Sequence, residues 1–333
     1  MGLTLTARAV NEARNHTIAT SRPLGHLRDD FGVNQGYPLP VEMARCAPWV
    51  NPDKWPSDDL MHEDAALTTA NATAVPALRY VKEGAIAFLI ADNPARMNAF
   101  TAAMWGALPQ HVATAVADPQ VRALVLRGAG EKAFSAGADI SEFDSARTGE
   151  AAKTYDALND AAFNALMGCP KPTLAMIHGF CLGGGLGLAL CCDLRLADEA
   201  SQFAIPAAKL GIGYNARWVR PILAAIPAFR AKELLFTGRR YSANEALAIG
   251  LISRLVPAMD LETATRALAG EIAANAPLSV MAAKRVIDEI VRHPENPDMV
   301  ALDAAIAQCF ASDDYAEGRR AFLEKRKPQF KGK

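Results

Sequence analysis

The chain has 333 residues, 51% of them hydrophobic and 21% charged, an ordinary globular composition that excludes disorder throughout. Its 35 Lys and Arg stand against 36 Asp and Glu, so no excess of positive charge is available for a phosphate backbone and nucleic acid is not expected as a partner. Six cysteines without a CxxC pair give no zinc frame, and no stretch approaches the ~20 uninterrupted apolar residues of a spanning helix. A soluble protein of a reducing, cytoplasmic compartment, without metal or membrane partner, is therefore expected.

Upstream of residue 76, prolines are scattered among aromatics in Gly36-Tyr37-Pro38, Ala47-Pro48-Trp49 and Lys54-Trp55-Pro56, and Ala65 to Val75 is nearly all Ala, Thr and Asn. Residues 1–76 read as an irregular extension ending in a flexible linker. Arg8, Arg14, Arg22 and Arg28 leave two readings of its start open, an organelle transit peptide or a charged surface helix. From Leu78 the pattern becomes regular. Ile86 to Ile90 and Ala123 to Leu126 are short apolar runs of the kind that form buried strands, and Thr101 to Ala117 between them has helical spacing. A helix over Glu150 to Met167 and a strand over Thr173 to Ile177 continue the alternation, which predicts a mostly parallel sheet with right-handed crossovers. After Ser201 strands nearly stop. Helices are predicted over Ala216–Ala225, Ala228–Phe236, Ala243–Ile249, Leu261–Ala274, Leu278–Val291 and Met299–Phe310.

The chemistry concentrates at two glycine-bearing turns. Leu182-Gly183-Gly184-Gly185 follows a predicted strand and opens an apolar helix, so its backbone N–H groups and the positive end of the helix dipole make an anion site. The alternative is a tight crossover whose glycines only permit close packing. The second turn is Phe134-Ser135-Ala136-Gly137-Ala138-Asp139. If both turns lie at the same end of neighbouring parallel strands, one N–H from each converges on a single oxygen, which is an oxyanion hole for an enolate or tetrahedral adduct.

These segments resemble the enoyl-CoA hydratase/isomerase, or crotonase, superfamily. So do Asn93-Pro94-x-x-x-Asn98-Ala99, Cys192-Asp193-x-Arg195-x-Ala197, Phe203-x-x-Pro206-x-x-x-Leu210-Gly211 and Glu324-Lys325-Arg326-Lys327-Pro328. The resemblance runs in order from about Leu78 to Lys333. It implies an α/β fold: a crotonase-like ββα spiral core over 77–260, then a helical trimerisation segment over 261–333. It implies an acyl-CoA thioester as partner, coenzyme A entering only as part of the substrate with no permanently bound cofactor, and a homotrimer or dimer of trimers. By position, the N–H groups of Ala138 and Gly184 would hold the thioester oxygen. The Ala136 carbonyl would meet the adenine, Ile140 would lie beside it, and Arg96 and Lys325 would reach the CoA phosphates.

The chain departs from that family where water is activated. A hydratase uses two glutamates, and their positions here are Gly187 and Ala207, neither of which accepts a proton. Efficient hydration is therefore not expected. The space at Gly187 suits either a bulky acyl group or a closely packed neighbouring helix. Tyr214 falls where the methylmalonyl-CoA decarboxylase subgroup has a tyrosine, and Asn215 where the dehalogenase and dienoyl-CoA isomerase subgroups have an aspartate. Tyr214, Asn215 and Arg217 are the candidates to orient a substrate, with Asp139 and Asp144 as acidic neighbours for Arg217 and with Glu142 or Asp144 as substitute carboxylates. The resulting alternatives are a decarboxylase, a thioester hydrolase, a C–C lyase or a non-catalytic acyl-CoA-binding protein. His178 reads as structural and His111 as a surface residue.

Overall fold

The computed structural model describes residues 75–143 and 149–333, so the extension expected over 1–76, apart from Val75 and Pro76, lies outside the described residues, as does Asp144. The described part begins with an antiparallel pair, β1 (Ala77–Glu83) and β2 (Ile86–Asp92), followed by α1 (Ala102–Ala117). Then the same unit recurs: a strand, a second short strand and a helix. The first is β3 (Ala123–Gly128), β4 (Ala133–Ser135) and α2 (Gly149–Met167). The second is β5 (Thr173–Ile177), β6 (Phe180–Leu182) and α3 (Gly184–Cys191), and the third β7 (Leu194–Asp198), β8 (Gln202–Ala204) and α4 (Ala216–Ala225). There follow α5 (Ala228–Thr237), β9 (Tyr241–Ser242), α6 (Ala243–Ile249), β10 (Arg254–Val256), α7 (Leu261–Ala274), α8 (Pro277–Arg292), α9 (Met299–Phe310) and α10 (Asp313–Leu323).

Each unit lays its first strand in one sheet and its second in another, which is the β-β-α spiral. The six-stranded sheet has the order β1-β2-β3-β5-β7-β10 and is parallel except at β1/β2; the four-stranded sheet is β4-β6-β8-β9, parallel except at β8/β9. Every residue of β5 is buried, because both faces of the sheet are covered and a continuous apolar run is needed there. One face packs Phe88, Val125, Leu174 and Met176 under Leu268 and Ala269 of α7. The other carries the main core, with Trp105 of α1, Phe163 of α2 and nearly all of α3. Helix α3 is apolar all round because it is enclosed on all sides.

The strands after Ser201 are β8, β9 and β10, of 3, 2 and 3 residues. Segments that short carry no period for sequence to show. Helix α10 is a further element the pattern did not predict: five of its eleven residues are charged, and it starts at a Ser312 cap that accepts from Tyr315 N. His111 is not a free surface side chain, since its Nε2 lies 2.9 Å from the Leu78 carbonyl and its ring stacks on Tyr80 at 5.9 Å. Among the described residues no helix is long and apolar enough to cross a membrane.

Candidate active site

The two glycine turns follow β4 and β6, and those strands pair in parallel, so both turns emerge at the same end. They touch. A Cβ built on Gly137 would stand 2.9 Å from the Gly184 nitrogen, and one built on Gly184 would stand 3.8 Å from the Ala138 nitrogen. Gly137 has φ +100°, a conformation only glycine adopts without strain, so this residue is what lets the first turn lie on the second. Ala138 N–H and Gly184 N–H donate to no acceptor among the described residues. For Gly184 the reason is that it is the first residue of α3, where N–H groups have no intrahelical partner. Two unpaired donors on abutting turns form the arrangement that accepts one oxyanion.

The turn at Ala138 is fixed from behind by residues whose part was not legible in the sequence. Phe100 N donates to the Gly137 carbonyl at 2.7 Å and Asp139 N to the Phe100 carbonyl at 2.9 Å, which holds the backbone on each side of Ala138. Ala136 N donates to Met97 O at 2.9 Å. The Ser135 hydroxyl donates to Asn98 O at 2.8 Å and accepts from Gly137 N at 3.1 Å. The Asn98 amide in turn donates to the carbonyls of Ala129 and Ala133 at 2.8 and 2.7 Å. The Asn93–Asn98 motif is thus a polar brace for the oxyanion turn.

Arg96 belongs to the same brace. Its Nη1 lies 2.9 Å from Asp139 Oδ1, while the side chain remains 53% exposed. Burial alone would raise the Asp139 carboxyl, but the Ser141 hydroxyl and amide and the Arg96 guanidinium outweigh it and hold the group below its ordinary range. Ile140 follows directly and is 61% exposed, an apolar side chain standing free beside the turn. Lys325 is exposed just after α10, in a left-handed backbone conformation with φ 55°.

Gly187 is one turn of α3 beyond Gly184, on the same face. Of the two readings of Gly187, the closely packed neighbouring helix is the one found: a Cβ there would meet Phe163 Cζ of α2 at 2.6 Å, and the Tyr214 hydroxyl at 3.1 Å. Protein side chains fill the space beside Gly187. Phe163 is itself held in a row of rings, stacked on Trp105 at 6.1 Å and on Trp218 at 5.6 Å. Tyr214 meets Trp218 edge-on at 5.8 Å. The Tyr214 hydroxyl is buried and has no hydrogen-bond partner among the described residues. Burial first, and the neighbouring Cys191 thiol second, push this phenol well above its ordinary range. It is a neutral donor and not a base.

The other two residues proposed to orient substrate have structural duties. Asn215 caps α4, its Oδ1 accepting from Arg217 N at 3.0 Å. Arg217 does not pair with Asp139. Its guanidinium is bound to Asp160, which also accepts from Trp218 Nε1 at 2.9 Å, and the arginine is 71% exposed. Asp160 lies in α2, directly across from the start of α4, so it takes both donors of that turn. Glu142 is also engaged, its carboxylate accepting from Ala102 N at 2.7 Å at the start of α1, where the helix dipole favours an anion. Ala207 sits in the 3-10 turn Pro206–Leu210, half-buried against the core.

His178 is buried, as a structural histidine is, with Nε2 unpartnered. Cys181, Cys191 and Cys192 are buried and burial raises all three thiols, Cys192 to about 12, so none is a nucleophile at neutral pH. No group of three or more potential metal ligands occurs among the described residues. A cavity of about 960 Å³ lies among α8, α9 and α10, lined by Ile287, Phe310 and Phe322, and it contains none of the residues above.

The family model described as Enoyl-CoA hydratase/isomerase matches residues 81–333. A short-chain-enoyl-CoA hydratase of Clostridium acetobutylicum is 33% identical over 246 residues, covering 74% of this chain and 94% of the relative. A carnitinyl-CoA dehydratase of Salmonella enteritidis is 32% identical over 261 residues, covering 77% and 98%. The crystal structure of an enoyl-CoA hydratase/carnithine racemase from Magnetospirillum magneticum superposes with a TM-score of 0.73 at 37% identity, covering 78% of this chain and 97% of that one.

Proposed function

Because the chain belongs to the enoyl-CoA hydratase/isomerase family, and so processes acyl-CoA thioesters, we propose that it stabilises a thioester enolate at Ala138 and Gly184 and hydrates enoyl thioesters poorly. The observation that carries this reading is the combination of an intact pair of converging donors with the loss of both carboxylate positions, one of them filled by aromatic side chains. The two N–H groups oppose the charge that develops on the thioester oxygen, and a single such donor is typically worth about 3 kcal/mol of transition-state stabilisation. Water activation is another matter. Each missing acid or base ordinarily contributes about 10²- to 10⁴-fold, and neither Gly187 nor Ala207 supplies one.

Glu142 does not substitute for them while it holds the N-terminus of α1. What remains suits reactions whose main demand is enolate or oxyanion stabilisation: decarboxylation, C–C cleavage or thioester hydrolysis, with the reacting group oriented in the aromatic pocket. Coenzyme A enters with the substrate, Arg96 and Lys325 meeting its phosphates and the Ala136 carbonyl and Ile140 its adenine. The test is turnover with crotonyl-, malonyl-, methylmalonyl- and aryl-acyl-CoA. Expected is loss of a non-enoyl thioester with crotonyl-CoA nearly inert. Crotonyl-CoA hydration at ordinary hydratase rates overturns the reading, and acyl-CoA binding without turnover of any thioester replaces it with a binding protein.

A further inference from the structure

Ser135 stands where the two turns meet. It is fully buried, its hydroxyl donates to the Asn98 carbonyl at 2.8 Å, and the lone pairs this leaves accept from Gly137 N at 3.1 Å. The second turn rests on the same residue. A Cβ built on Gly185, next to the donor Gly184, would stand 2.7 Å from the Ser135 carbonyl oxygen, 2.8 Å from its Cβ and 3.0 Å from its hydroxyl oxygen. Gly137 is the weak link between Ser135 and Ala138, since a glycine at φ +100° has no side chain to hold it. Its N–H is fixed by Ser135 and its carbonyl by Phe100 N at 2.7 Å. A peptide group is planar and trans, so the Gly137 carbonyl and the Ala138 N–H point in opposite directions along one rigid unit, and whatever fixes Gly137 aims Ala138. Of these two anchors, Ser135 is the one supplied by a side chain.

We propose that Ser135 is a positioning residue of the oxyanion hole: its buried hydroxyl sets the aim of the Ala138 N–H and its spacing from the Gly184 N–H, and so tunes the pair to an enolate oxygen. This rests on the reading of Ala138 and Gly184 as the thioester oxygen site. Asn98 takes part by fixing the hydroxyl rotor. Its carbonyl accepts the Ser135 proton, which turns the lone pairs toward Gly137, and Asn98, with φ 57°, is itself held by its amide on the Ala129 and Ala133 carbonyls. Removing the hydroxyl leaves the buried Gly137 N–H without this acceptor, and a glycine has the freedom to turn that N–H elsewhere, carrying the Ala138 N–H out of line. Misaimed donors cost most where charge is greatest, so an enolate loses more than a neutral thioester does.

The experiment uses the full chain, Ser135→Ala and a control, Leu268→Ala, whose site in α7 packs on the opposite face of the six-stranded sheet from Trp105 and α3. Two quantities are measured for each: the affinity for butyryl-CoA, which reports binding of the neutral thioester, and the pKa of bound acetoacetyl-CoA, read from the ultraviolet absorption of its enolate across pH. Expected is a natural chain that lowers the pKa of acetoacetyl-CoA below that of the free thioester. Ser135→Ala should raise it again by about one unit, an about tenfold loss of enolate stabilisation, with butyryl-CoA affinity held within about twofold. Leu268→Ala should lose stability and leave the pKa where it was. An unshifted pKa in Ser135→Ala, or the same shift in Leu268→Ala, overturns the proposal while leaving the oxyanion site standing. A natural chain that does not lower the pKa, or that binds neither thioester, removes the oxyanion site as well. If Ser135→Ala does not fold, Ser135→Cys takes its place with the same expected direction, because a thiol is a weaker acceptor than a hydroxyl.

Discussion

At the scale of single residues, Gly187 shows where sequence reading stops. That Gly187 and Ala207 carry no carboxylate is plain from the sequence, and the family resemblance puts both at hydratase glutamate positions. Why a glycine stands at 187 is not, since the answer is the ring of Phe163, which meets α3 only in the folded chain. Two effects oppose each other in Gly187→Ala. Helix propensity favours alanine by about 1 kcal/mol, whereas a Cβ 2.6 Å from Phe163 Cζ forces the ring to move. Phe163 lies between Trp105 and Trp218 and has little freedom to yield, so overpacking of about 1–3 kcal/mol wins. Gly187→Ala is expected to lower the urea midpoint, and Phe163→Leu in the same chain to recover part of the loss. A gain of stability in Gly187→Ala alone would show that the ring moves freely. Asn215 and Arg217 teach the converse: position made both candidates to orient a substrate, yet their side chains serve the start of α4.

At the scale of elements, long regular segments were readable and short ones were not. Thr173–Ile177, Ala216–Ala225 and Leu261–Ala274 are found with the bounds their periodicity predicts. The second sheet escaped because its strands have 3, 3, 3 and 2 residues, and without it the parallel pairing of β4 and β6 that brings the turns together was only a condition. The crossing from β5 into β6 goes through His178, whose carbonyl accepts from Phe134 N and whose ring is buried. Burial, helped by the positive charge of Arg127, holds this imidazole below its ordinary value of 6.5 against the pull of Asp198, Glu131 and the Ala133 backbone. Below that value the unfolded chain binds a proton that the folded chain refuses, so stability falls as pH drops from 6.5 toward the folded-state value and is full above it. His178→Asn is expected to flatten that part of the stability–pH curve, measured by urea unfolding between pH 7.5 and about 5. An unchanged slope would mean that the ring ionises freely in the folded chain.

For the whole molecule, the expected helical C-terminal segment is present, and it leaves much apolar surface uncovered: Val300 is 81% exposed, Phe322 84%, Leu323 79% and Phe310 63%. Patches of this kind mark association surfaces. The expectation of a homotrimer or dimer of trimers is checked by sedimentation, which should give about three or six times the chain mass of 35.5 kDa, and a single species of that mass alone would refute it. The contact between Phe163 and Gly187 has a further consequence, for the routes open to the sequence as it changes. On the function proposed above, adding glutamates at 187 and 207 does not by itself supply hydration, because the first would arrive against a clamped ring. Phe163 has to shrink beforehand, and that step removes part of the core with nothing gained in activity. The order of substitutions therefore matters. On that reading, a descendant of this chain that adds water passes through a less stable ancestor, so the aromatic filling works as a ratchet on the evolutionary path.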